Sequence, residues 1–307
     1  MSNPDNGRAP LVTVVIPTRN RPTALRRCLA SLAAQAYPAA AFETVVVDDG
    51  STPAVTPDAG PGLRNLRVMR QEHAGAARAR MTGVGEARSG LLAFVDDDCA
   101  LPADFLATAE RVFRTRPDTQ VAQVRILNPE PDNPYGRLWT FNLDRQSLAN
   151  LRPAPDGRLL SATLGGVMVA RREVFREVAF DARLRTALED ADLSYQLAAR
   201  GIAVHYEPEL RVFHHVPTTL AGYLGQFWRY GRGAAELRRK WRGTPAPFRY
   251  CRLTGLTDLR ALVQAEGRVV GPTFYALLWL RRLALAAGSA YEVGRRLGRG
   301  DPALPPR

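Results

Sequence analysis

Residues 94–102 read FVDDDCALP, three consecutive aspartates set directly behind the apolar run LLAFV (91–95). The run has the length and composition of a buried strand. Adjacent carboxylates repel one another and are costly to bury, so they need water, hydrogen-bond donors or a cation around them. Two readings are open on this stretch alone: a solvated turn at a strand end, or a metal site for a phosphorylated ligand. The flanking sequence bears on the choice.

Toward the N-terminus, LVTVVI (11–16) is a β-branched run closed by Pro17, and ETVVVDDGS (43–51) is a second run ending in carboxylates and a glycine turn. Both read as strands. Between them, PTALRRCLASLAAQA (22–36) spaces Leu25, Leu29 and Leu32 as on a helix, with Pro22 suited to its first turn. LRVMR (66–70) reads as a third strand, AGAARARMTGVGEA (74–87) as a helix, and a further helix is expected from Pro102 to about Arg114. Strands alternating with helices predict an α/β fold with a mostly parallel central sheet. Ligands of such sheets bind beyond the carboxyl ends of the strands. Three of those ends carry PTRN, DDGS and DDDC, which predicts a single polar edge.

Further on, residues 128–158 are rich in Pro, Asn, Asp and Gly and read as a long loop of the kind used for lids and substrate binding. Regular structure is expected to resume at 159–175, and a helix from Glu189 to Arg200 ends at Gly201. ELRVFHH (209–215) closes an expected pair of strands.

The chain of 307 residues is 46% hydrophobic and 23% charged, which excludes wholesale disorder. Its three cysteines, Cys28, Cys99 and Cys251, form neither a disulfide framework nor a zinc pattern, so a reducing compartment is expected. MSNPDNGRAP lacks the layout of a signal peptide, and the expected location is the cytoplasm. The net charge is +12, and residues 216–307 carry 16 basic and 5 acidic residues, a net of +11. Residues 1–215 are therefore near neutral, and two regions are expected, 1–215 and a basic, helical 216–307. Clustered positive charge suits an anionic surface such as lipid headgroups or nucleic acid.

VTVVIPTRNRPTALRRCLASL, VVVDDGS, AFVDDDCALP and ALEDADLSYQLAARG occur in the order found in glycosyltransferase family 2, and the resemblance covers about residues 11–215. It implies the Rossmann-like GT-A fold and transfer of a sugar from a nucleotide-diphospho-sugar with inversion. Aspartates 96 to 98 match the family's Asp-x-Asp motif, which holds Mg²⁺ or Mn²⁺ on the donor diphosphate. The pattern implies Asp98 as metal ligand, with Asp96 or Asp97 toward the ribose. Pro17, Thr18, Asn20 and Asp49 resemble the nucleoside pocket, where a carboxylate accepting a ring N–H favours uracil-like edges. Arg80 matches a position near the donor's phosphate or ribose, although Met81 stands where the family usually has asparagine; a plain surface arginine is the other reading.

The family places its general base at the acidic pair Glu189-Asp190, with Asp190 taking the acceptor's proton. A helix N-terminus favours the ionised form, which predicts an available base at neutral pH. Acidic residues are also common in first helical turns without catalysis. A histidine after the 209–215 segment completes the metal site in some relatives; His214 fits best, with either it or His215 open to a structural role. Gly165 and Gly166 would let backbone approach the donor sugar or acceptor, or mark a bend.

QFWRY (226–230) resembles the Q-x-x-R-W motif of processive members, with Tyr230 in place of Trp, and implies an acceptor role for Gln226 and Arg229; an amphipathic surface helix is the alternative. GPTFYALLWL (271–280) is interrupted by Arg281 and Arg282 before it is long enough to span a bilayer, and suits a helix lying in the interface or packed on the catalytic domain. The resulting expectation is a UDP-sugar transferase acting on a lipid-linked or cell-envelope glycan, peripheral at the inner face of the membrane, with no nucleic acid partner. The rivals are a sugar-phosphate nucleotidyltransferase, for which PTRNRP lacks the usual glycine-rich loop, and a catalytically silent membrane- or nucleic-acid-binding protein.

Overall fold

The computed structural model describes residues 11–56, 62–130, 132–140, 150–245 and 272–297. The chain forms two compact units, the first of Met1–Leu127, Leu151–Arg185 and Glu189–His215, the second of Asn128–Asn150, Thr186–Leu188 and Val216–Arg307.

The first unit is built on strands β1 (Val12–Thr18), β2 (Phe42–Asp48), β3 (Leu66–Arg70) and β4 (Leu91–Phe94), parallel in the order β3-β2-β1-β4. Every residue of β1 and β2 is buried, as expected of strands covered on both faces. Val12, Val14 and Ile16 pack with Leu25, Leu29 and Leu32 of α1 (Pro22–Ala33) and Phe105 and Leu106 of α3 (Phe105–Thr115). Val15 points the other way, toward Val84 of α2 (Ala76–Glu86) and Leu193 of α4 (Glu189–Ala199). This is the period-2 alternation of a strand with helices on both sides. Gly83 makes the α2 contact possible: a Cβ there would lie 2.2 Å from Val15 Cγ1.

Beyond β4 the sheet changes sense. β9 (Met168–Arg171) runs antiparallel to β4 and to β6 (Val121–Leu127), and β6 is parallel to the long β10 (Val204–His214). The short β5 (Cys99–Ala100) pairs with β10 at Cys99–His214, and β8 (Leu159–Ser161) and β7 (Leu151–Pro153) form the edge. The β5 pairing carries the chain directly from the triple aspartate onto His214.

Several expectations shift. The pair of strands closing at 215 is one strand of 11 residues with a register shift between Glu207 and Arg211. The 128–158 segment is not one loop: residues 134–140 are helical, β7 begins at Leu151, and residues 141–149 lie outside the described residues. The third helix begins at Phe105 rather than Pro102.

The second unit is dominated by α5 (Leu220–Lys240) and α6 (Pro272–Leu297), which pack along one another. Their backbones nearly touch: a Cβ on Gly231 would fall 2.1 Å from the Leu285 carbonyl oxygen, and one on Gly288 2.2 Å from that of Trp228. No helix among the described residues is long and apolar enough to cross a membrane.

Candidate active site

The carboxyl ends of β1, β2 and β4 converge as the alternation of elements requires. Thr18 Oγ1 donates to Asp97 Oδ2 at 2.7 Å. Arg21, at the start of α1, donates to Asp97 Oδ1 at 3.1 Å and Asp98 Oδ2 at 2.7 Å. Burial pushes Asp97 up to about 6, against Arg21 and with the help of Asp98. Asn20 takes a left-handed backbone (φ 55) and ties the first two strand ends together: its N–H donates to Ser51 Oγ, and its Oδ1 accepts from Thr52 N.

The DDGS turn divides its two aspartates. Asp48 is fully buried and accepts from Ser51 N, Val55 N and Arg70. Asp49 accepts from Ala74 N and Gln71 Nε2 at Oδ1, and from Gly75 N at Oδ2, which also lies 2.8 Å from His73 Nδ1. Burial opposes its ionisation, but these donors hold it below the usual carboxylate range. A carboxylate has about four acceptor positions. All are occupied within the protein, so a base N–H reaches Asp49 only by displacing His73 or Gln71. Gly75, at φ 95, lets the chain turn into α2 beneath it.

Arg80 is 3% exposed and links the end of β4 to α4, which excludes a plain surface arginine. One arm donates to Asp96 Oδ1 at 2.6 Å and the other to Glu189 Oε1 at 2.5 Å, with the guanidinium over the Phe180 ring. Burial works against its charge, yet Asp96 and Glu189 raise its pKa above the ordinary arginine value. Gly166 closes this group from above; a Cβ there would lie 2.5 Å from Asp96 Oδ2 and 3.0 Å from Arg80 Nη2. Gly165 donates its N–H to Gln123 Oε1.

Asp190 follows Glu189 at the start of α4 and accepts from its neighbour's N–H, Ala191 N, at 2.7 Å. Burial first, then the Glu189 charge and Asp96, push it up to about 7, against Ala191 N and Arg80. A helix N-terminus alone favours ionisation, but here the desolvation and like charges outweigh it.

Asp96, Asp98, Cys99 and His214 bring one ligand atom each within 4.8 Å of one another. Asp98 Oδ1 lies 3.3 Å from His214 Nε2 and is buried with no hydrogen bond, while the Asp98 carbonyl accepts from His215 N. An orphaned carboxylate oxygen beside a second carboxylate and an imidazole fits a hard divalent cation. Burial and the neighbouring aspartates raise the Cys99 thiol well above its usual range.

Gln226 and Arg229 stand on α5 in the second unit, where Gln226 Nε2 donates to Tyr230 Oη at 2.7 Å and Arg229 is exposed. Sequence reasoning missed Arg21, Gln71 and His73. Arg21 directly follows PTRN, and the other two precede the Gly75 turn; only tertiary contact distinguishes them from surface residues.

Residues 13–179, more than half of the chain, match the family model described as Glycosyl transferase family 2. The chain belongs to glycosyltransferase family 2. Within the family it is 30% identical over 241 residues to the pre-mycofactocin glycosyltransferase of Mycobacterium tuberculosis, covering 77% of this chain and 49% of that protein. It thus spans about half the length of that relative. Among solved structures, the mannosyltransferase PcManGT from Pyrobaculum calidifontis, in complex with GDP-Man and Mn2+, superposes with a TM-score of 0.57 at 22% identity, over 97% of this chain and 81% of that one. S. aureus TarS 1-349 in complex with UDP-GlcNAc gives 0.52 at 17%, over 94% and 92%. At these identities the likeness is one of fold, the GT-A fold of this family 2 chain.

Proposed function

We propose that this chain is an inverting, metal-dependent glycosyltransferase that moves a sugar from a nucleotide-diphospho-sugar, UDP-linked, to a hydroxyl of a lipid-linked or cell-envelope glycan. Residues 1–215 form its catalytic domain, and the basic region 216–307 holds it at the inner face of a membrane. The observation that carries the reading is Arg80, buried between Asp96 and Glu189. It joins the acidic strand end suited to a donor diphosphate to the acidic pair suited to deprotonating an acceptor. The solved relatives in complex with GDP-Man and UDP-GlcNAc support the donor class.

In this reading Thr18, Asn20 and the 71–75 turn receive the nucleoside, with Asp49 shaping that turn from beneath. Asp98, Asp96 and His214 would hold Mg²⁺ or Mn²⁺. When bound, such a cation offsets the negative charge that builds on the departing nucleoside diphosphate. Asp190 takes the proton of the acceptor hydroxyl as that oxygen attacks the anomeric carbon. The bond from this carbon to the diphosphate oxygen breaks on the opposite side, and the configuration inverts. Burial, with the Glu189 charge beside it, keeps Asp190's pKa close to the working pH, where a general base is most effective. Gly166, lacking a side chain, lets its own backbone sit close against the Asp96–Arg80 pair.

The test is calorimetric titration of UDP into the protein with and without Mn²⁺, repeated on Asp98→Ala. Metal-dependent binding that the variant loses is expected. UDP binding unaffected by Mn²⁺ and by the variant would overturn the metal assignment, and absence of UDP binding alongside GDP binding would overturn the donor assignment. With the donor known, the anomeric configuration of the product decides inversion.

A further inference from the structure

The outward side of α6 has a composition that an ordinary surface helix lacks. Its exposed residues are Ala276, Trp279, Leu280, Leu283, Ala286, Ala287, Ala290, Tyr291, Val293, Gly294 and Leu297, with no charged side chain among them. At 100° per residue they fill an arc of roughly 160°, and they extend over about 30 Å of helix. Of ten large hydrophobic residues exposed among those described, six lie here, led by Leu297 at 79% and Leu283 at 62%. Soluble surfaces rarely leave a contiguous apolar strip of this size uncovered.

The inward side of the same helix buries Leu277 and Leu278 together with its one acid. Glu292 is fully buried and pairs with Arg232 of α5 and with Arg295 and Arg296. Glu236, the only acid of α5, is also buried and pairs with Arg296. The two helices therefore present no carboxylate to solvent. Arginines line the strip instead: Arg282 lies over the Trp279 ring at 4.9 Å and Arg232 over the Tyr291 ring at 5.3 Å.

We propose that this face of α6 docks on a lipid bilayer containing anionic headgroups. An apolar strip with aromatic residues and bordering arginines is what a helix lying in the membrane interface requires. Charge selects this occupant over a second copy of the chain: apposing two such faces would bring together two regions of net +11, whereas anionic lipid neutralises that charge. The assignment is independent of the donor chemistry.

The test is flotation of the full chain with neutral phosphatidylcholine vesicles and with vesicles containing a quarter phosphatidylglycerol, alongside light scattering without lipid. The wild type is expected to be monomeric and to float with the anionic vesicles at least tenfold more than with neutral ones. Leu283→Glu and, separately, Trp279→Ser should each lower that partition about tenfold while UDP titration and urea unfolding stay unchanged. Leu283 is 62% exposed and Trp279 47%, with Arg282 over its ring, so the unfolding measurement separates lost lipid contact from lost stability. Equal flotation of variants and wild type would overturn the proposal. So would a lipid-indifferent dimer that Leu283→Glu dissociates, which would make a second copy the occupant. A monomer that ignores all vesicles would overturn it as well.

Discussion

Replacing Arg80 with methionine removes the cation that holds Asp96 and Glu189 together while keeping a long side chain in the same space. The guanidinium is 3% exposed, so solvent screening does little to soften the loss. Both carboxylates lose a charge-assisted hydrogen bond of 2.5–2.6 Å, and Asp190 nearby loses a compensating positive charge. Removing one partner of a buried ion pair costs about 3–5 kcal/mol, and that is the expected destabilisation at pH 8. The cost should depend on pH. Asp190 already sits near 7 in the folded protein, and loss of Arg80 raises it further. An acid raised on folding stabilises the fold below its unfolded pKa, and that contribution is lost as pH rises through the folded value. The deficit of Arg80→Met should therefore widen between pH 5.5 and pH 8. Urea unfolding followed by tryptophan fluorescence at the two pH values measures this, and adding Glu189→Gln to the variant should recover part of the loss through their coupling. A deficit under about 1 kcal/mol at pH 8, or one that does not change with pH, would refute the buried-bridge reasoning.

Three further outcomes follow from the same geometry. Carbon-13 NMR of the carboxyl groups in metal-free protein should show Asp190 titrating near 7, and Glu189→Gln should lower it; by the same sign, Asp190→Asn should gain stability over wild type as pH rises from 5 to 8. Gly166→Ala places a methyl 2.5 Å from the Asp96 carboxylate, so it should cost about 1–3 kcal/mol in urea unfolding and weaken UDP binding in calorimetry by at least tenfold. Asp49→Asn must set its amide NH₂ against the backbone N–H of either Ala74 or Gly75, and thermal unfolding should show a loss of about 1–3 kcal/mol even without nucleotide.

The parallel core and its polar edge were legible because their signals are local. A β-branched run such as VTVVIPT, or a turn such as DDGS, carries its conformation in adjacent residues. β6 and β9 were not, because VAQVRIL and MVAR acquire their sheet positions from pairing with β4 and β10, far away in sequence. The site divides the same way. Asp96, Asp98, Asp190 and Arg80 stood out by type and spacing, but that Arg80 is buried between Asp96 and Glu189 depends on contacts spanning 109 residues. The helix N-terminus promised an ionised Asp190, whereas burial, with Glu189 beside it, brings it up to about 7. Arg21 and His73 gave no local sign of their partners at all.

Sequence by itself determined that GPTFYALLWL (271–280) is apolar and that Arg281 and Arg282 interrupt it. Which side of α6 faces the protein was decided only by packing. Gly231 and Gly288 let the α5 and α6 backbones close to contact, and that approach turns Glu292 inward onto Arg232. Ion pairing and close backbone packing thus claim the side that carries Glu292. The strip of Trp279, Leu283 and Leu297 is left facing outward, where an ordinary surface helix shows charged and polar residues.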